Sequence, residues 1–65
     1  MNTRKETMKR IKSQIRERMT ANDYAAVNRL TIEWVGLATA SEFRRMPGWM
    51  RPYYPAYNLV LKHIG

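Results

Sequence analysis

The sequence predicts an all-α protein in which two long helices form a hairpin, a short C-terminal helix packs across them, and the favoured assembly is a homodimer. Three observations support this fold class. Apolar residues recur at steps of three and four along two long segments, residues typical of helix caps precede both segments, and all three prolines lie after residue 46. At 65 residues the chain is a single small domain, which buries only about 60% of the surface that its unfolded form exposes.

The first helix is predicted over about residues 3 to 19, because Thr3 and Glu6 have the spacing of a capping box. The apolar residues of this segment share one arc at 3.6 residues per turn. They are Met8, Ile11, Ile15 and Met19.

A second helix is predicted over about residues 21 to 45, where Thr20 and Asp23 supply a cap at the start and Pro47 with Gly48 a stop at the end. Its main apolar face comprises Tyr24, Val27, Leu30, Trp34, Val35, Leu37 and Ala38. A second stripe on the opposite side mixes small and large residues. It comprises Ala25, Ile32, Gly36, Ala40 and Phe43. A helix with two apolar sides needs cover on both.

The second stripe favours a homodimer whose seam holds Ile32, Gly36, Ala40 and Phe43. Glycine inside a helix costs about 1 kcal/mol relative to alanine, so a close approach of another backbone would explain Gly36, with a local bend as the alternative. In a competing monomer, the third helix covers the stripe instead.

The C-terminal segment begins with a turn over about residues 47 to 52 and continues as a short helix over about residues 53 to 64. Most of the aromatic residues lie in or next to this segment. We expect Trp49 and Tyr54 to be available to a partner, because Trp49 lies in the turn and Tyr54 at the edge of the helix's apolar arc.

Positive charge is concentrated at one end of the chain. Twelve Lys and Arg against five Asp and Glu give a formal net charge of +7. Residues 1–20 hold seven basic and two acidic side chains, a net +5, whereas residues 21–65 hold five and three, a net +2. This asymmetry favours an anionic partner such as nucleic acid, an acidic protein surface or anionic lipid. The alternative is a charge that serves solubility alone.

The residue types that catalysis and metal binding require are scarce. There is no cysteine and only one histidine, so a disulfide or a structural zinc site is excluded. With only Ser13 and Ser41 as serines and no glycine-rich loop, we expect no enzymatic activity, no cofactor, no metal and no small-molecule substrate. No apolar run is long enough for a membrane span, and the lack of cysteine suits a reducing compartment, so a cytoplasmic location is expected.

Two groups of cations are candidates for phosphate contacts. The first forms a stripe over roughly 16 Å of the first helix, and comprises Lys5, Lys9, Lys12 and Arg16. The second is interleaved with aromatic residues, and comprises Arg44, Arg45 and Arg51. Such contacts supply salt-sensitive affinity without specifying any base.

The sequence therefore predicts a small non-enzymatic regulator that binds a macromolecule, with nucleic acid as the first hypothesis. The alternative is a protein–protein interaction module, a homodimeric adaptor or host-factor inhibitor whose aromatic tail docks on another protein. In size, charge and lack of catalytic residues, the chain is similar to small regulators and inhibitors encoded by bacteriophages and mobile elements. That likeness assigns no role to any residue.

Overall fold

The computed structural model describes residues 3–64, which fold into four α-helices and one 3₁₀ turn, with no strand in that part of the chain. The elements are α1 (Thr3–Thr20), α2 (Tyr24–Leu37), α3 (Ala40–Arg44), the 3₁₀ turn (Arg51–Tyr53) and α4 (Tyr57–Ile64). The long helices α1 and α2 pack against each other. The predicted all-α class, with two long helices and shorter ones beside them, is confirmed, while the homodimer stays a prediction.

The corner between α1 and α2 is a Schellman motif built on Asn22, whose φ is 59°. The Asp23 N–H donates to the Arg18 carbonyl at 2.9 Å, and the Asn22 N–H donates to the Met19 carbonyl at 3.0 Å. Asparagine tolerates this left-handed conformation better than most residues that carry a Cβ. The chain therefore reverses direction here without a glycine.

The cap of α2 is Asp23, one of the two residues predicted for this role. Its side chain accepts a hydrogen bond from the Ala26 N–H at 3.3 Å. Thr20 does not share the role, because it ends α1 and its hydroxyl donates to the Arg16 carbonyl at 3.1 Å. Asp23 thus closes α1 with its N–H and opens α2 with its carboxylate, which holds both helices at the corner.

The core lies between α1 and α2 and is closed by the segment that follows α2. Both long helices contribute apolar residues predicted from their spacing, with the exception of Tyr24, which is 50% exposed, and the later segment adds methionine and aromatic side chains. These residues are Met8, Ile11, Ile15, Val27, Leu30, Trp34, Phe43, Met46, Met50 and Tyr57. Thr31 is also fully buried, and its hydroxyl donates to the Val27 carbonyl at 2.8 Å. Within residues 3–64, every buried side-chain nitrogen or oxygen has a hydrogen-bond partner.

The predicted single helix over residues 21–45 is wrong, because α2 ends at Leu37 and α3 starts at Ala40. Between them Thr39 has an extended backbone, with ψ at 167°. Its hydroxyl accepts from the Glu42 N–H at 3.2 Å, and its own N–H donates to Glu42 Oε1 at 2.8 Å. This reciprocal capping box satisfies two amides at the start of α3, which favours a new helix over continuation of α2.

Arg4 ties the start of α1 to the end of α2. Its Nη1 donates to the Leu37 carbonyl at 2.8 Å and to Glu42 Oε1 at 2.7 Å. Carbonyls in the last turn of a helix lack intrahelical partners. The guanidinium of Arg4 supplies a hydrogen bond to one of them at the C-terminal end of α2. The contact also shows that α1 and α2 run antiparallel, since the first turn of α1 meets the last turn of α2.

The hydrogen bonds at Glu42 predict an acid-sensitive stability. Hydrogen bonding from Arg4, followed by that from the Thr39 N–H, lowers the pKa of Glu42 from 4.5 to about 2. A carboxylate with a depressed folded-state pKa stabilises the fold fully above its unfolded pKa and loses that contribution as the pH falls through its folded pKa. We expect the melting temperatures of the wild type and Glu42→Gln to converge as the pH is lowered from about 5 to about 2.

The matched control for this measurement is Glu33→Gln, which removes the same charge from an exposed position on α2. Its melting temperature should follow that of the wild type more closely across the same pH range. Parallel curves for the wild type and Glu42→Gln would contradict the role assigned to the Arg4–Glu42 pair.

The C-terminal helix is shorter than predicted, because α4 begins at Tyr57, four residues later. Pro52 lies within the 3₁₀ turn, and Pro55 follows Tyr54, whose backbone has φ −131° and ψ 80°. A residue that precedes proline is sterically disfavoured in the α conformation. A helix starting at residue 53 would have needed that conformation at Tyr54.

The predicted dimer seam is divided between the surface and the core. Gly36 and Ala40 are exposed and Ile32 is 55% exposed, whereas Phe43 is only 3% exposed. Assigning Phe43 to a partner interface was therefore wrong, because the break after α2 turns α3 so that this ring enters the core of its own chain. The other three residues remain uncovered in the single chain.

Gly36 offers a sharp test of the seam. A Cβ built on Gly36 would meet nothing within 4 Å, so no close approach within the described part of this chain requires glycine. We expect Gly36→Ala to raise the free energy of unfolding by about 1 kcal/mol, the helix propensity difference between the two residues, in a urea titration. Destabilisation that grows with protein concentration would instead show that a second copy packs against this position.

Candidate nucleic-acid interface

The four cations predicted on α1 line one continuous depression, which we call the basic groove. One part has a volume of about 260 Å³ and is lined by Lys5, Met8, Lys9, Lys12, Trp34 and Glu42. The adjoining part has a volume of about 250 Å³ and is lined by Lys9, Lys12, Ser13 and Arg16. Because Lys9 and Lys12 line both parts, the structure brings all four predicted cations to one surface.

The geometry of α1 explains this arrangement. Residues spaced by three or four positions lie on one side of a helix, and the four cations lie beside the apolar arc that faces α2. The ammonium groups are therefore placed where the side of α1 meets the core. Lys12 is half-buried there, whereas Lys5, Lys9 and Arg16 are exposed.

The part of the basic groove that includes Lys5 has an apolar floor, whereas the part that includes Arg16 is lined by polar and cationic residues. Met8 and Trp34 line the apolar floor, and their exposed fractions are only 5% and 6%. Glu42 lies at the same end, but its carboxylate forms an ion pair with Arg4, whose Nη1 is 2.7 Å from Oε1. The groove thus combines cationic side chains with an apolar floor. The charge of its carboxylate, Glu42, is balanced by Arg4.

At the other end of the basic groove, Arg16 stacks on an aromatic ring. Its guanidinium carbon lies 5.0 Å from the centroid of the Trp49 ring, within the range of a cation–π interaction. Trp49 is half-buried and packs against the core. Trp49, predicted for a partner interface, thus contacts one of the predicted phosphate-binding cations, and its role in a partner interface stays a prediction.

Tyr54, the other aromatic residue assigned to a partner, is also half-buried. Its ring meets the Phe43 ring edge-on, with centroids 5.7 Å apart. Tyr54 was expected at the edge of the apolar arc of a helix that starts at residue 53. Because α4 starts at Tyr57, Tyr54 is not part of that helix. Its contact with Phe43 leaves only part of the side chain for a partner.

The second predicted patch does not join the basic groove. Arg44 Nη2 donates to the Ile64 carbonyl at 2.7 Å, which ties α3 to the end of α4. Arg51 Nε donates to the Met46 carbonyl at 3.0 Å, and its guanidinium lies 4.8 Å from the Tyr57 ring centroid. Arg45 is exposed. Two of these three arginines thus hold the C-terminal segment in place.

Sequence reasoning missed Arg4 and Trp34 as parts of the site. Trp34 was assigned to the core, which is correct, but one edge of the ring also reaches the groove floor. Arg4 carries no sequence signal, because its partner Glu42 is 38 positions away. Only the tertiary packing brings Trp34 to the lysines and Glu42 to Arg4.

No group of His, Cys, Asp and Glu within residues 3–64 is arranged to hold a metal ion. In the same part of the chain, no helix has the length and apolar character needed to cross a membrane. No protein-family model, curated protein or solved structure matches this chain. Its function must therefore be inferred from the fold and the groove themselves.

Proposed function

We propose that this protein is a small non-enzymatic regulator that binds nucleic acid by holding phosphate groups in the basic groove. The observation that supports the proposal is the convergence of Lys5, Lys9, Lys12 and Arg16 on one surface. A neutral apolar floor and a paired carboxylate leave the groove strongly positive. The field of a +7 chain would also steer a polyanion toward it.

The dimensions of the groove suit a phosphate backbone. From Lys5 to Arg16 the cations extend over roughly 16 Å, at 1.5 Å per residue of helix. Lysine and arginine placed along such a line displace condensed counterions when they contact successive phosphates. The resulting affinity depends on salt and carries no base specificity.

The test is the affinity of the protein for nucleic acid across a salt series from about 50 to 200 mM, the range in which counterion release is readily measured. Four phosphate contacts predict a slope of log K against log salt of about −3.6 for a duplex and about −2.8 for a single strand. Absence of binding at the lowest salt concentration would rule out the proposal.

The second candidate function, a protein–protein interaction module, is favoured by the uncovered apolar surface on α2. Ile32 is 55% exposed, and within residues 3–64 no atom beyond its own helix and chain neighbours lies within 4 Å of a Cβ built at Gly36. A homodimer whose seam includes Ile32, Gly36 and Ala40 would cover this surface. Sedimentation equilibrium of the wild type and Ile32→Glu tests it: a dimer that dissociates in the variant supports the seam, and a wild-type monomer rules out the homodimer.

A further inference from the structure

We infer that the ligand of the basic groove is single-stranded nucleic acid, and that a base of this strand stacks on the guanidinium of Arg16. This inference rests on the proposed function and specifies its substrate class. It is based on the Arg16–Trp49 contact, on the exposure of Arg16, and on the apolar side chains that line the groove beside the lysines.

The Arg16–Trp49 stack offers a surface for a base. The Arg16 guanidinium lies over the Trp49 ring, with its carbon 5.0 Å from the ring centroid, so the ring covers one side of the group. Arg16 is exposed, so its other face is open to a ligand. Guanidinium planes and aromatic rings are the surfaces on which proteins stack unpaired bases. A base would add a third layer to a stack whose lower two layers already exist.

The apolar floor also favours unpaired bases. Met8 and Trp34 line the groove together with the lysines, and a phosphate group would gain nothing from contact with them. In a duplex the base faces are hidden inside the stack, and only phosphates, sugars and base edges reach a protein. An unpaired strand presents phosphates and base faces together, and the groove has partners for both.

The position of α1 disfavours a duplex. To read or fill a major groove, a helix must protrude from the protein, because that groove is about 12 Å wide and about 8.5 Å deep. The cationic side of α1 is flanked by Trp34 at one end and Trp49 at the other. These flanking rings offer apolar contacts that an unpaired strand can use and that a duplex, whose base faces are stacked inside it, cannot use.

The experiment compares four probes by fluorescence anisotropy, each about 12 units long and therefore within the site sizes of small single-strand-binding folds. They are oligodeoxyadenylate, oligoriboadenylate, an abasic deoxyribose-phosphate chain and a mixed-sequence duplex. The abasic chain carries the same phosphates as oligodeoxyadenylate but no bases. We expect oligodeoxyadenylate to bind at least about fivefold more tightly than the abasic chain, the lower end of the effect of one stacked base. The tighter of the two adenylates identifies DNA or RNA as the source of the strand.

The decisive variant is Arg16→Lys, which keeps the positive charge and removes the planar group. We expect it to weaken oligodeoxyadenylate binding by about fivefold or more and to leave abasic-chain binding nearly unchanged, because lysine still contacts phosphate as a point charge. An unchanged melting temperature of the variant confirms that the effect is not one of folding.

Three results would overturn the inference while leaving the proposed function intact. They are equal affinity for the adenylate and abasic chains, equal losses on both chains in Arg16→Lys, and a duplex that binds as tightly as the single strands. Absence of binding to all four probes would instead rule out the proposed function, and the inference with it. The two failures are therefore distinguishable in one set of titrations.

Discussion

Replacing Phe43 with alanine is expected to lower the free energy of unfolding by about 3–5 kcal/mol, the range measured for large aromatic residues in protein cores. The Phe43 ring is 3% exposed. It stacks on the Tyr57 ring with centroids 4.9 Å apart and meets the edge of the Tyr54 ring at 5.7 Å. Its removal would leave a cavity where α3 joins the C-terminal segment to the hairpin.

A chain of this size has a total stability of only about 3–10 kcal/mol, so Phe43→Ala should unfold at a much lower urea concentration than the wild type when followed by far-UV circular dichroism. Phe43→Leu keeps most of the apolar volume and loses the aromatic contacts, and should cost roughly 1–2 kcal/mol in a urea titration. The control is Leu59→Ala, at a position that is 62% exposed and lies outside the candidate seam, where we expect a change within about 0.5 kcal/mol. A Phe43→Ala variant that folds normally but loses self-association would contradict the burial of this ring.

The second large effect is expected in nucleic-acid binding. Replacing Lys5, Lys9 and Lys12 together with glutamine removes three of the four cations of the basic groove. Loss of three single-strand phosphate contacts should reduce the salt slope by about 2 and, because the electrostatic contribution vanishes near 1 M salt, weaken binding about 100-fold at 0.1 M. The measurement is the same salt series on the triple variant.

A matched control separates the groove from net charge. Substituting Arg10, Arg18 and Arg29 with glutamine lowers the formal net charge from +7 to +4, as the lysine triple does, but these arginines are exposed and lie outside the groove. The control should lose much less affinity and keep most of the salt slope. Equal losses in the two triple variants would show that overall charge, and not the groove, attracts the ligand.

The α1–α2 hairpin could be predicted from the sequence because its signals are local. The apolar arc of α1 can be predicted from the helical period alone, and both Met8 and Ile15 lie in the core as their spacing indicates. The Asp23 cap can likewise be predicted locally, because the capping carboxylate and the amide that it accepts from are only three residues apart. The shared side of the four α1 cations follows from the same period.

The break after α2 was missed although a local signal for it exists. Thr39 and Glu42 have the spacing of a capping box, but helical periodicity continues across them, so the sequence alone supports both a break and a continuous helix. Packing decides between these possibilities, because Arg4 satisfies both the Leu37 carbonyl and Glu42 only when the chain is interrupted there. As a result of this break, Phe43 lies in the core and not at the predicted seam.

The sequence by itself thus determined the helical class, the hairpin corner and the cationic side of α1, since each depends on residues within a few positions of one another. Only the tertiary structure decided what borders those cations. Trp34 forms a floor, Trp49 supports Arg16, and Arg4 neutralises Glu42. These residues are distant along the chain, and their contacts depend on the antiparallel packing and on the path of the C-terminal segment, which no local pattern specifies.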